Sequence, residues 1–416
     1  MRQAETTVRA LLARRDFRRL LATRLSAQFG DGVLQAALAG TVLFNPQRAA
    51  DPVAVAAGFA VLLLPYSLVG PFAGVWLDRW RRRQVLVHAD LLRTGLVGVL
   101  ALLVAGGSGG LPLLLAGLVL FSVARFVLSA LSAALPHTTR DLVPANALST
   151  TSGAVATVVG GAAAVAVQQA AGIAGDAGYA LLTLGAAGPY LLAAALAAGF
   201  PPGALGPDGS ATTSSARQVV AGLVAGVRHV RARPPAGTAL VLITVHRLCF
   251  GVLTLATVLF SRATAPPGGG LLGVGAAVAA GAVGTLLAAV ATPGAVRRLG
   301  TARWVTLLLA LGGVLLTALG LPFLPVTVVL AGAVLGFLGQ GVKICVDATL
   351  QRVVDDDVRG RVFSVYDMLV NVSYVLALLV AAYLLPADGV SPPAVVAVGA
   401  AYVLTALYAA RSPLAR

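Results

Sequence analysis

Four charged residues within long apolar stretches are the candidates for chemistry, namely Asp31, Arg125, Arg247 and Asp367. A charged side chain at the centre of a bilayer costs roughly 2.5 to 3.5 kcal/mol on insertion scales, so it persists where it has a partner or a use. Asp31 has glutamines three residues before it and four residues after it, on the same helical face. A carboxylate whose distance from a guanidinium changes also changes its affinity for a proton. We therefore expect these residues to have a function within the membrane, with Asp31 as the carboxylate that binds and releases a proton.

Two further pairs of opposite charges lie within apolar stretches. Asp90 and Arg93 are three residues apart, and Lys343 and Asp347 are four residues apart. Residues at these spacings are neighbours on one helical face and can form local ion pairs. We interpret both pairs as structural.

Catalytic and metal-binding patterns are missing from the sequence. The four histidines, His88, His137, His229 and His246, are scattered, and Cys249 and Cys345 lie singly within apolar stretches. These spacings match no metal site, disulfide framework or catalytic motif. The sequence therefore predicts a protein that is not an enzyme and that uses no metal or organic cofactor.

Composition places the chain in a membrane. It is 416 residues long, 58% hydrophobic and only 11% charged, which is more apolar surface than a soluble domain could cover. The net charge of +15 would suggest nucleic acid in a soluble protein, but here the basic residues concentrate in alternate loops and the termini. Only Arg48 and Arg262 lie in the opposite set of loops. The positive-inside rule then predicts that both termini lie in the cytoplasm, and we expect no nucleic-acid partner. Arginine outnumbers lysine 29 to one, and alanine and glycine abound, which suggests a bacterial source and therefore a multi-pass protein of the plasma membrane.

Apolar stretches of about 20 residues, the length that a bilayer requires, divide the chain into two halves. The stretches lie near residues 17–45, 53–77, 84–105, 112–135, 145–172, 178–199, 237–262, 271–291, 302–321, 325–350, 360–385 and 393–411. Between the sixth and seventh, residues 200–235 carry prolines, a Ser/Thr cluster and an amphipathic segment. We predict an all-α protein with twelve transmembrane helices in two pseudo-symmetric six-helix bundles, 1–199 and 236–416, joined by a cytoplasmic linker, 200–235.

A motif at the end of the second apolar stretch resembles a known family. The segment from Gly70 to Arg83 reads Gly-Pro-Phe-Ala-Gly-Val-Trp-Leu-Asp-Arg-Trp-Arg-Arg-Arg. It is similar to the G-x-x-x-D-R-x-G-R-R signature between helices 2 and 3 of the major facilitator superfamily, with Arg81 in place of the second glycine. The matching residues are Gly74, Asp78, Arg79, Arg82 and Arg83. The segment from Arg14 to Gly32 resembles the entry of the drug- and siderophore-exporter branch of that superfamily.

The resemblance implies a conformational latch at the cytoplasmic face. In this family the loop signature lies beside the start of helix 11, where this chain has Asp355, Arg359 and Arg361. Arg140 and Asp141 are expected to lie beside Arg297 and Arg298 in the same way. The family also implies that Asp31 and Arg247 face each other across a central pathway, because helices 1 and 7 line it. Arg125 resembles the fourth-helix arginine of the proton-antiporter motif, while the fifth-helix motif survives only as Gly160-Gly161.

We expect the protein to be a secondary active exporter of small amphipathic molecules that is monomeric and driven by the proton gradient. Its resemblance to the drug- and siderophore-exporter branch implies efflux of drugs or siderophores. A lipid or lysophospholipid flippase of the same fold remains open. A membrane scaffold or sensor that does not transport also remains open, although a scaffold would gain stability by losing Asp31, Arg125 and Arg247. The substrate cannot be identified from the sequence, because pocket polarity comes from side chains on many helices.

Overall fold

The structure is a computed structural model of the full chain. It describes residues 9–41, 52–53, 56–58, 60–61, 80–107, 110–139, 141–206, 216–264 and 270–412. Apart from one short 3-10 turn, Leu135–His137, and a π-helical turn at residues 40–41, the regular elements of these residues are all α-helices. The all-α fold class predicted from the sequence is confirmed.

The described residues group into two compact units, and the first contains most of the N-terminal half. Its helices are α1 Arg15–Ala39, α2 Arg82–Ala105, α3 Leu111–Ala134, α4 Leu142–Ala170, α5 Gly175–Leu184 and α6 Ala187–Ala198. The sixth predicted span is therefore two short helices, because the chain makes a turn at Gly185 and Ala186. We call this unit the N-terminal bundle.

The second unit holds the C-terminal half. Helix α7, Ala216–Arg231, lies in the linker, and six helices follow: α8 Pro234–Thr264, α9 Gly270–Leu299, α10 Thr301–Gly320, α11 Pro325–Val353, α12 Asp356–Leu384 and α13 Pro392–Arg411. Each of the six matches one predicted span; five agree within four residues at both ends, whereas α9 continues eight residues beyond the predicted end at residue 291. We call this unit the C-terminal bundle.

Ten helices of the described part of the chain are long and apolar enough to cross a bilayer, when α5 and α6 are taken as one. Helix α1 is not among them, because its charged and amide side chains, such as Arg24, Gln28 and Asp31, lower its mean hydropathy. Most of the second predicted span, 53–77, lies outside the described residues. The membrane fold is therefore established, while the count of twelve stays a prediction.

Two glycines bring α1 and α4 into close contact. A Cβ atom on Gly32 would lie 1.9 Å from the carbonyl oxygen of Thr157, and one on Gly160 would lie 2.1 Å from that of Phe29. Real atoms cannot approach so closely, so each position requires glycine. Small residues at such positions let helix backbones pack tightly in membranes, where no hydrophobic effect drives the helices together. This contact fixes the position of Asp31, which precedes Gly32.

Candidate functional site

A buried cluster of charges lies inside the N-terminal bundle, centred on Arg93 of α2. Its Nη1 donates a hydrogen bond to Oδ1 of Asp90 at 2.8 Å, and its Nη2 donates one to Oδ1 of Asp31 on α1. The hydroxyl of Tyr190 on α6 donates to the same Asp31 oxygen at 2.9 Å. The Arg93 guanidinium also lies over the Tyr190 ring, 3.7 Å from its centroid. One cation thus joins three helices; we call these four residues the Arg93 cluster.

The charges of the Arg93 cluster do not balance. It holds two carboxylates but one guanidinium, and no other cation of the described residues pairs with Asp31 or Asp90. Asp90, Arg93 and Tyr190 have no exposed surface, and Asp31 is 6% exposed. Oδ2 of Asp90 is buried and accepts no hydrogen bond from the described residues. Because an unpaired charge is costly in a low-dielectric interior, this free carboxylate oxygen is a position where a proton can bind.

Small residues position the cluster. A Cβ on Gly30 of α1 would lie 2.7 Å from the Tyr190 ring, so glycine makes room for the tyrosine. The Ser26 hydroxyl donates to the carbonyl oxygen of Pro189 at 2.7 Å and ties α1 to the start of α6. Asp31 therefore meets Tyr190 because two neighbouring contacts fix the distance between their helices.

A second polar group lies two turns before Asp31 on α1. Nε of Arg24 donates to the side-chain oxygen of Gln28 at 3.0 Å, and Nη1 donates to the Ser149 hydroxyl of α4 at 3.1 Å. Arg24 is 7% exposed, and Arg125 of α3 lies within electrostatic range of it. No described carboxylate forms an ion pair with Arg24. The N-terminal bundle therefore carries buried positive charge close to the Arg93 cluster.

The charged candidates of the C-terminal bundle are partly or fully exposed. Nζ of Lys343 lies 2.5 Å from Oδ2 of Asp347, so the spacing on α11 does give an ion pair. The guanidinium of Arg247 on α8 lies 5.7 Å from the Phe250 ring centroid, and it forms no ion pair with the described carboxylates. Asp367 of α12 accepts a hydrogen bond through its backbone oxygen from the side chain of Asn371 at 2.9 Å.

His246, next to Arg247 on α8, is a core residue. Its Nδ1 lies 3.0 Å from the hydroxyl of Tyr402 on α13, and its ring is 3% exposed. This contact joins two helices of the C-terminal bundle. Among the described residues, no three histidine, cysteine or acidic side chains are grouped so that they could hold a metal ion.

Among the residues expected to form the latch, Arg82 and Arg83 bind backbone carbonyl groups of the N-terminal bundle. Gly74, Asp78, Arg79 and Arg140, and the side chain of Arg359, lie outside the described residues. Arg82 donates to the carbonyl oxygens of Ala133 and Leu205, at 3.0 and 3.2 Å, and Arg83 donates to that of Ala198 at 2.8 Å. Both arginines therefore stabilise free carbonyl groups near the C-terminal ends of α3 and α6.

The start of α12 is bound by the linker. The carboxylate of Asp355 pairs with Arg233, whose Nε donates to Nε2 of His229 at 2.8 Å. Arg361 packs against α7, where a Cβ on Gly226 would lie 3.1 Å from the Arg361 carbonyl oxygen. Asp141 is 3.8 Å from Arg14, an exposed pair of small energetic value. Arg297 and Arg298 are exposed in the last turn of α9.

Comparison with known proteins decides the family. The family model of the Major Facilitator Superfamily matches residues 20–411 of this chain. The chain belongs to that superfamily. It is therefore a multi-pass membrane transporter, and the superfamily predicted from the sequence is confirmed.

The relatives of this major facilitator transporter agree with that assignment. It is 43% identical over 386 residues to an uncharacterized MFS-type transporter of Mycobacterium tuberculosis, which covers 91% of this chain and 86% of the relative. Among solved structures, a mutant of the nucleoside transporter NupG matches with a TM-score of 0.70 at 14% identity, covering 94% of this chain and 97% of that one. A POT family transporter in complex with 5-aminolevulinic acid matches with a TM-score of 0.68 at 13% identity, covering 95% of both chains. At these identities the structural matches show the fold alone.

Two residues of the transporter's polar interior were missed in the sequence analysis. Arg24 met the criterion used for the other candidates, because it is a charge within a predicted span. Tyr190 gave no local signal, since tyrosine is common in membrane helices and its partner Asp31 is 159 residues away. The pairing of Asp31 with Arg93 was missed as well, because Arg93 already had a partner in Asp90.

Proposed function

We propose that this transporter is a proton-coupled exporter of small amphipathic molecules that works by alternating access. The observation that carries the proposal is the Arg93 cluster, in which two buried carboxylates share one guanidinium and one carboxylate oxygen has no hydrogen-bond partner among the described residues. Export, as in the drug- and siderophore-exporter branch, is supported by the resemblance of the Arg14 to Gly32 segment. Antiport with protons is the coupling that we infer.

In the proposed cycle the Arg93 cluster exchanges one proton for substrate. A proton on Asp31 or Asp90 leaves one carboxylate with one guanidinium, so the cluster becomes neutral and stable in a dry interior. Without that proton the surplus negative charge favours a substrate group that donates hydrogen bonds or carries positive charge. Proton and substrate then compete for the same carboxylates, which is the condition for exchange.

The cluster also offers a way to link protonation to helix movement. Arg93 binds Asp31 across two helices, whereas its bond to Asp90 lies within α2. Protonation of Asp31 removes the charge that attracts Arg93 across the α1–α2 contact, while Asp90 keeps the guanidinium on its own helix. We infer that the proton acts by loosening this contact, and that it enters from outside and leaves toward the cytoplasm.

The test uses purified transporter in sealed vesicles, with ethidium as the amphipathic probe. An imposed pH gradient should drive uphill accumulation by the wild type. Asp31→Asn should abolish this accumulation yet still allow downhill exchange, because the path stays open while the proton site is lost. Asp388→Asn is the matched control, since Asp388 is an exposed carboxylate in a loop. Undiminished accumulation by Asp31→Asn would refute its role in coupling.

The structure changes which acid is tested next. Asp367 is the other carboxylate among the four candidates from the sequence, but Asp90 shares Arg93 with Asp31 and has a carboxylate oxygen that accepts no hydrogen bond from the described residues. We therefore expect Asp90→Asn to impair coupling more than Asp367→Asn in the same vesicles. We further propose that the exporter is a monomer, uses the proton gradient and no cofactor, and has both termini in the cytoplasm.

A further inference from the structure

A groove of about 630 Å³ opens on the N-terminal bundle between α2 and α3. It begins at the end of α2 that the distribution of basic residues assigns to the cytoplasm. Its size lies within the range of about 300 to 1,000 Å³ typical of sites for a single small ligand. We call it the α2–α3 groove.

The polar side chains of the α2–α3 groove lie toward its cytoplasmic end. Arg81, Gln84 and His88 line it there, and all three are exposed. Their side chains form no hydrogen bond or ion pair with other described residues, unlike neighbouring Arg82 and Arg83, which bind carbonyl groups. A free guanidinium with two hydrogen-bonding neighbours is suited to an anionic oxygen group.

The other end of the groove is apolar. Leu92 lies eleven residues beyond Arg81 on α2, which is about 16 Å along a helix. It lines the groove together with Ala89 and with Val123 of α3, and its side chain is 52% exposed. The groove is thus polar at the membrane surface and apolar toward the hydrocarbon region, as a phospholipid is.

An aromatic wall borders the polar end. The rings of Trp80 and Phe126 pack edge to face with centroids 6.2 Å apart, and Trp80 is 53% exposed. Tryptophan is enriched where the headgroups of a bilayer meet its hydrocarbon. Trp80 therefore places the polar end of the groove at headgroup depth.

We propose that the α2–α3 groove binds one anionic phospholipid of the cytoplasmic leaflet. Arg81 pairs with the phosphate, Gln84 and His88 donate hydrogen bonds to the headgroup, and an acyl chain lies along Leu92 and Val123. The charge is complementary, because anionic lipids of the cytoplasmic leaflet attract basic side chains at the membrane surface. The exposed apolar side chains add van der Waals contacts with the acyl chain, the kind of interaction that drives packing inside a membrane.

The experiment uses Trp80 as the reporter. A variant with Trp76→Phe and Trp304→Phe keeps Trp80 as its one tryptophan, since the chain has three. It is reconstituted in phosphatidylcholine vesicles that contain increasing fractions of a lipid brominated on its acyl chains, either phosphatidylglycerol or phosphatidylcholine. Bromine quenches indole fluorescence on contact, so the quenching curve reports which lipid occupies the groove.

Brominated phosphatidylglycerol should reach half-maximal quenching at about a fivefold lower fraction than brominated phosphatidylcholine, because one basic residue near the surface contributes about 1 kcal/mol. Arg81→Gln should remove this preference, and Arg81→Lys should keep it. Arg303→Gln, which removes an exposed arginine from the start of α10, is the matched control and should change nothing. Glycerol phosphate in solution should not reverse the quenching, because the acyl chain contributes to binding.

A second variant tests the apolar end. Val123→Trp would fill the groove, but its new tryptophan would add to the fluorescence of Trp80. For this variant we therefore measure the amount of phosphatidylglycerol that stays bound after delipidation, and we expect that amount to fall. Equal quenching of the wild type by the two lipids would overturn the proposal. So would an Arg81→Gln variant that keeps the preference for phosphatidylglycerol, or reversal of the quenching by glycerol phosphate.

Discussion

Replacing Arg93 with glutamine tests the charge balance of the N-terminal bundle directly. Arg93 is the cation shared by Asp31 and Asp90, and it has no exposed surface. Glutamine keeps part of the side chain's volume and its capacity to donate hydrogen bonds but removes the charge. The variant therefore leaves two carboxylates in the bundle without a described counter-ion.

The size of the effect follows from the geometry. At the 2.8 Å between Nη1 of Arg93 and Oδ1 of Asp90, two unit charges attract each other by about 6 kcal/mol at an effective dielectric constant of about 20. Desolvation offsets part of this attraction, and breaking a buried pair on one side typically costs about 3 to 5 kcal/mol. Because two carboxylates lose the same partner, we expect Arg93→Gln to destabilise the transporter by about 5 kcal/mol. That is a large share of the roughly 5 to 15 kcal/mol that holds a folded protein together.

The assay is the apparent Tm of the detergent-purified protein, together with its yield. Arg93→Gln should lower both strongly, whereas Arg303→Gln should leave them unchanged. Adding Asp31→Asn to Arg93→Gln removes one stranded charge and should recover part of the loss, and adding Asp90→Asn as well should recover most of it. A double-mutant cycle should give a coupling energy of about 2 kcal/mol between Arg93 and Asp31. A stable Arg93→Gln variant, or a loss that neither asparagine substitution relieves, would refute the reasoning.

Three further predictions concern packing, topology and the latch. Gly160→Ala should lower the apparent Tm by forcing α4 away from the carbonyl of Phe29, an overpacking that costs about 1 to 3 kcal/mol, whereas Gly95→Ala, whose Cβ would meet nothing within 4 Å, should not. In intact cells, S210C in an otherwise cysteine-free chain should not react with a membrane-impermeant thiol reagent added outside, because the linker is expected in the cytoplasm. Labelling from outside would show that the predicted topology is wrong. Asp78→Asn should reduce transport at unchanged protein level. Full transport by this variant would refute the proposed role of Asp78 in a conformational latch.

Most of the fold could be predicted from the sequence, because helix length and apolar content are local properties. The predicted stretch 84–105 corresponds to α2, Arg82–Ala105, and the stretch 112–135 corresponds to α3, Leu111–Ala134. The break between α5 and α6 was not predicted. Alanine and glycine at 185–187 keep hydropathy high whether or not the backbone turns there, so the apolar pattern carries no signal for the break.

The site could be predicted only in its local parts. The Asp90–Arg93 and Lys343–Asp347 pairs follow from spacing on one helix, whereas the contact of Arg93 with Asp31 depends on the rotation and depth of two helices. Counted from the predicted span starts at 1.5 Å per residue, Asp31 lies about 21 Å deep and Arg93 about 13 Å. Helix α1 begins at Arg15 with a charged turn. That turn made the depth of Asp31 impossible to count from hydropathy.

The glycine contact between α1 and α4 determines which parts of the proposed proton switch can move. With the carbonyl of Thr157 against Gly32, and that of Phe29 against Gly160, neither helix can turn about its own axis without steric overlap. We therefore expect the two helices to move as one body, and the backbone that carries Asp31 to keep its place within that body. Arg93 lies on α2, whose described glycines make no such contact with α1. In this molecule the carboxylate of Asp31 is therefore the fixed partner of the ion pair, and Arg93, carried by α2, is the partner that can move.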